Sequence, residues 1–122
     1  MNRKSASILL LGSEKDSELA EALFELGFEL VARVSMFGAL ERIRHAEFAA
    51  IVIDRQSIDF DMLEFTLNAR DIDEETPIIV AGQSDDPEDD KRLALLDNVH
   101  FIGHIEDTDR LGEEMDKVLT RG

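Results

Sequence analysis

The run Ala49-Ala50-Ile51-Val52-Ile53 ends in a single carboxylate, Asp54. An unbroken apolar stretch of this length leaves no face for water, which suits a parallel strand covered on both sides. Four more strand-like, largely apolar segments lie along the chain: Ser7 to Leu11, Phe28 to Val34, Pro77 to Ala81 and Val99 to Ile102. Helical stripes separate them. Leu19, Ala22, Leu23 and Leu26 recur at i, i+3, i+4 and i+7; Leu40 and Ile43 mark a second helix. Leu63, Thr66 and Leu67 define one side of a third, over about 60–69, and Leu111, Met115, Val118 and Leu119 the core face of the last. Five β-α units in sequence predict an α/β three-layer sandwich, with helices on both faces of a central five-stranded parallel sheet.

Stop and start signals agree with this division. Gly12 ends the first strand, Asp16 is placed to cap the first helix and Gly27 to stop it, and Ser35 is placed to cap the second. Asp86-Pro87 reads as an N-cap followed by proline at the first helical position. The acids Glu88, Asp89 and Asp90 then complement that helix's positive end, which accounts for the densest acidic run without any function. Asp107 or Thr108 caps the last helix.

A length of 122 residues predicts one domain over 1–122, with its core at about 7–119. The 28 acids against 13 Lys plus Arg give a net charge of -15, which repels nucleic acid and anionic membranes. There is no cysteine, hence no disulfide framework or thiolate metal site. No run approaches the roughly 20 apolar residues that span a bilayer. Ile8 to Leu11 is too short for a signal-peptide core, so the expected location is the cytoplasm.

Asp54 is the residue that chemistry would use, because reaction sites in open parallel sheets lie just beyond the carboxyl ends of the strands. Other candidates fall away. The loop Gly12-Ser13-Glu14-Lys15-Asp16 has one glycine where a dinucleotide fingerprint needs three, and lacks the Gly-Lys-Ser/Thr ending of a phosphate-cradling loop. His45, His100 and His104 form no i, i+4 metal pair. Ser13, Ser35, Ser57 and Ser84 sit where caps and turns explain them. No nucleophile–base pair is legible, so no enzyme activity is expected.

The order of elements and Asp54 at the end of the third strand resemble the receiver domain of bacterial response regulators, over roughly 7–119. The resemblance implies a flavodoxin-like (βα)5 fold and a phosphoryl group taken from a histidine kinase onto Asp54. In that family two acids directly follow the first strand and hold magnesium with the aspartate; here Gly12 and Ser13 stand there, and Glu14 is one step further on. A Thr or Ser ends the family's fourth strand, where Gly82 stands, and a Lys-Pro pair follows the fifth, where His104-Ile105 stands. The Met-Pro and Gly that follow the family's aspartate are missing from 55–62, while its switch aromatic on the fifth strand is kept as Phe101.

Phosphoryl transfer depends on positioning and charge neutralisation. Magnesium asks for about six oxygen ligands, so Asp54, even with Glu14, would hold it weakly, and no cofactor is expected. His104 replaces a fixed positive charge only when protonated, and Gly82 has no hydroxyl to donate. The expectation is an atypical receiver acting by protein–protein contact through the face of its fourth helix, fifth strand and fifth helix, which carries Lys91, Arg92, Phe101, Arg110 and Glu114. That face suits an output module or a symmetric dimer. A ring held permanently inward at Phe101, in the space left at Gly82, is a further expectation. Two alternatives stand beside this: a phosphorelay receiver modified on Asp54 by a histidine kinase, and a small-ligand module on the same fold.

Overall fold

A computed structural model describes residues 6–12, 17–83, 86–103 and 108–119. Ser13, Glu14, Lys15, Asp16, Ser84, His104 and Asp107 lie outside the described residues. Strands and helices alternate: β1 (Ser7–Leu11), α1 (Glu18–Glu25), β2 (Glu29–Arg33), α2 (Met36–His45), β3 (Ala50–Asp54), α3 (Met62–Ile72), β4 (Ile78–Ala81), α4 (Pro87–Ala94), β5 (Val99–Ile102) and α5 (Thr108–Leu119). The sheet order is β2-β1-β3-β4-β5, all parallel, so β3 is central. The five-unit three-layer sandwich is what the alternation of strand-like and helical segments predicts, and its flavodoxin-like strand order is what the resemblance implies.

The two-residue period of a strand sorts the apolar runs into two cores. Ile8, Leu10, Ala50, Val52, Ile79, Ala81 and Ile102 face α1 and α5. Leu9, Leu11, Ile51, Ile53, Ile78 and Val80 face α2 and α3. Because both faces of the inner strands are covered, alternate residues there need not be polar, which is why β3 and β4 read as nearly continuous apolar sequence, whereas the edge strands β2 and β5 carry Glu29, Arg33 and His100.

Helix starts follow local chemistry, and some differ from the sequence expectations. The cap of α1 is Ser17, which accepts from the Ala20 N–H at 3.2 Å. Ser35 caps α2 and Asp86 caps α4, as expected. The third helix begins at Met62, not Phe60, because Asp61 takes the Leu63 and Glu64 N–H groups at 2.8 and 3.2 Å. Phe60 lies just outside and packs on Phe65, ring centroids 6.0 Å apart. This is a hydrophobic staple across the cap. The buried side of α3 is Phe65, Thr66 and Ala69, while Leu67 is 49% exposed, so the stripe drawn through Leu67 is corrected. Phe65 and Ala69 are themselves an i, i+4 pair, and the larger ring takes the sheet-facing position. Thr66 remains buried because its hydroxyl donates back to the Met62 carbonyl at 2.8 Å.

At the amino ends of β4 and β5, Arg70 joins three segments. Its guanidinium makes five hydrogen bonds to the carbonyls of Asp73, Thr76, Asp97 and Asn98. Burial lowers its pKa, with the charges of Asp73 and Asp97 opposing. Asn98, in the left-handed region at φ 58°, donates to the Glu75 carbonyl at 2.8 Å and meets His100 Nε2 through its side-chain oxygen at 2.7 Å. Burial pushes the Asp73 carboxyl up, but hydrogen bonds from the Thr76 hydroxyl and the Glu75 and Thr76 N–H groups, with the Arg70 charge, outweigh it and leave the pKa below the usual range.

Candidate functional site around Asp54

The central strand delivers Asp54 to the carboxyl edge of the sheet between the ends of β1 and β4. Pairing continues one step past the strands: Gly12 N–H donates to the Arg33 carbonyl at 2.9 Å, Arg55 N–H to Ala81 at 3.2 Å, and Gly82 N–H to Ile102 at 3.0 Å. Gly12, Asp54 and Gly82, which the sequence singled out, therefore stand side by side.

Asp54 is tied to its own surroundings. The chain folds back immediately after it, with Ser57 N–H donating to the Asp54 carbonyl at 2.9 Å. This turn brings the Ser57 hydroxyl to the Asp54 carboxylate, where it donates to Oδ2 at 3.0 Å. Ser17 donates to the same oxygen at 3.5 Å while its lone pair caps α1. Oδ1 receives a long bond, 3.4 Å, from Gln56 N–H. Among the described residues the carboxylate is thus held by neutral donors, and Arg55, next to it in sequence, does not pair with it.

Gly12 has φ +141°, and a β-carbon built there would lie 3.0 Å from Ser57 Cβ and 3.1 Å from Asp54 Cβ. The space beside the aspartate that a side chain at Gly12 would enter is already taken by Ser57. Among the described residues no three His, Cys, Asp or Glu side chains converge to hold a metal ion. The described residues do not fit the magnesium cradle that the resemblance implies: one carboxylate is present, its Oδ2 engaged by two hydroxyls, with no room at Gly12 for a second.

The other side of the site is filled by Arg55. Its Nη2 lies 2.6 Å from Asp90 Oδ1, with the arginine side chain 7% and the aspartate 27% exposed. The stem crosses Gly82, where φ is +111° and an added β-carbon would sit 3.0 Å from Arg55 Cγ. A hydroxyl residue at Gly82 would meet that stem. The vacancy expected to hold Phe101 inward does not exist, because Arg55 occupies it. Phe101 is 39% exposed on β5, a correction to the locked-ring expectation. His104, Ser13 and Glu14 are outside the described residues, so their candidate roles have no geometry here.

Arg55 and Asp90 form an ion pair beside the site that the sequence did not disclose. Asp90 reads adequately as one more acid at a helix start. Only the position of α4, above the end of β4, brings it to Arg55 across 35 positions of sequence.

The chain has the fold of a response regulator receiver domain. It is similar to the chemotaxis response regulator CheY4 of Vibrio cholerae, with 19% identity, TM-score 0.73, and coverage of 93% of this chain and 98% of that one. A two-component response regulator from Clostridium difficile superimposes with TM-score 0.80 at 16% identity over 96% of this chain and 98% of that one. The receiver domain of a sensor histidine kinase from Pseudomonas aeruginosa, a structure with magnesium coordinated in its active-site cleft, gives TM-score 0.76 at 16% identity over 94% and 98%. No protein-family model and no curated protein sequence matches the chain.

Proposed function

We infer that this protein is an atypical receiver-type signalling module, working by protein–protein contact without a phosphorylation cycle on Asp54. One observation carries the reading: the spaces beside Gly12 and Gly82 are filled by Ser57 and Arg55. An acceptor aspartate needs an approach path, a metal and a fixed positive charge. Here the neighbouring spaces hold a hydroxyl donor and an arginine committed to Asp90. The molecule resembles a switch built in one position.

On this reading the protein catalyses nothing itself, needs no metal and works in the cytoplasm; no helix of the described residues is long and apolar enough to cross a membrane. The output contact falls on α4, β5 and α5, where Phe101 and Leu95 are exposed, the latter at 85%. Lys91 and Arg92 pair along α4 with Glu88 and Asp89 at 3.4 and 3.5 Å, which favours an output partner over a charge-zipped homodimer.

The test is incubation with magnesium and a small phosphodonor, followed by intact mass, alongside amide NMR with magnesium and beryllofluoride. The expected result is no added phosphoryl group and no shifts at Gly12, Asp54 or Gly82. A magnesium-dependent acyl phosphate that Asp54→Asn abolishes would overturn the reading and establish the phosphorelay alternative.

A further inference from the structure

At the sheet edge opposite β5, α1 leaves a surface uncovered. Its inward residues Ala20, Ala22 and Leu23 are buried, yet Phe24 is 73% exposed. Phe24 borders a shallow groove of about 390 Å³, whose lining is completed by Ala20, Leu30, Glu21 and Glu25. The floor is small and apolar, one wall is an aromatic ring, and the rim is anionic. The groove lies against β2, which among the described residues pairs in the sheet with β1 alone. Glu25 is oriented by the Thr108 hydroxyl, which donates to Oε2 at 2.9 Å and ties this rim to α5.

We propose that this α1–β2 groove docks a basic amphipathic helix of a protein partner, with Phe24 as the apolar anchor and Glu21 and Glu25 as the charge contacts. Charge selects the occupant. A second copy of this chain would bring its own Glu21 and Glu25 into a self-complementary contact, where like charges oppose each other. The net charge of -15 turns away nucleic acid and anionic lipid. A helix with apolar residues at i, i+3, i+4 and i+7 and Lys or Arg beside them matches both floor and rim. The inference does not depend on the state of Asp54. It makes the protein a bridge, with one partner at each edge of the sheet.

The test uses the full chain and a synthetic Leu/Lys amphipathic helical peptide, followed by amide NMR and by fluorescence anisotropy at two salt concentrations. The expected result is saturable binding that weakens at high salt, with shifts centred on Ala20, Glu21, Phe24 and Leu30. Phe24→Ser should weaken it about tenfold, since hot-spot aromatics carry most of such contacts. Glu21→Lys should weaken it and reduce the salt dependence. Phe24 is exposed, so its replacement leaves the fold intact, which the unchanged amide spectrum elsewhere verifies. Shifts scattered over all acidic surfaces, with Phe24→Ser binding as the parent does, would overturn the proposal. So would equal binding of a Leu/Glu peptide. A concentration-dependent dimer in sedimentation that Phe24→Ser dissolves would overturn it in favour of self-association.

Discussion

Replacing Asp90 by alanine strands a guanidinium that is 93% covered, since the Arg55 side chain is 7% exposed. Removing one partner of a fully buried pair costs about 3–5 kcal/mol, mostly from the charge left behind. Asp90 itself is 27% exposed, so water can enter where its carboxylate was. The expected loss therefore falls to about 2–3 kcal/mol, a substantial part of the roughly 5–15 kcal/mol that holds a domain together. Arg55→Met keeps an aliphatic stem across Gly82 and leaves only the better-hydrated carboxylate unpaired, at a cost of about 1 kcal/mol. Asp90 has further contacts, so the double variant is needed to isolate the pair. Urea unfolding followed by circular dichroism, with an unchanged slope, should give a coupling energy of at least about 1 kcal/mol. A coupling indistinguishable from zero would refute the claim that Arg55 and Asp90 hold the top of α4.

Two further perturbations address other parts of the molecule. Gly12→Ala should cost about 2–4 kcal/mol in thermal or urea unfolding, from its positive φ and its contacts with Ser57 and Asp54; adding Ser57→Gly should recover only the part due to Ser57 and leave the Asp54 contact and the backbone part of about 1–3 kcal/mol. Asp73, with its folded pKa below the ordinary value of 3.8, contributes stability that is fully present above that value and is lost as pH falls through the folded pKa; Asp73→Asn should flatten the acid limb of a stability–pH curve below about pH 4.

The strands and the place of Asp54 were legible because a doubly covered strand must be apolar throughout, and its first polar residue marks where it leaves the core. Side-chain direction was less legible. Asp16 and Ser17 are adjacent and both are good caps, so sequence alone could not choose between them. In α3 the neighbours Leu63, Phe65, Thr66, Leu67 and Ala69 permit more than one stripe, and only packing selects Phe65 and Ala69. Arg55 is the cation adjacent to Asp54 in sequence, yet the two do not pair. In an extended chain adjacent side chains point to opposite faces, and Arg55 crosses β4 to reach Asp90 instead. The same arginine defeats the expectation for Phe101, since a glycine in sequence signals a gap only until another residue fills it.

The Arg70 cluster has a mechanical consequence. Three of its bonds end on the carbonyls of Asp97 and Asn98, just beyond the carboxyl end of α4, while Arg55 grips Asp90 in the first turn of the same helix. One end of α4 is riveted by several backbone bonds and the other is latched by an ion pair. A force that opens the latch would tilt the helix about its riveted end, as a lever turns on a fulcrum. The motion would be largest beside Asp54 and smallest at Asn98, so a partner that grasps the first turn of α4 would feel the state of the latch, and one that grasps the last turn would not.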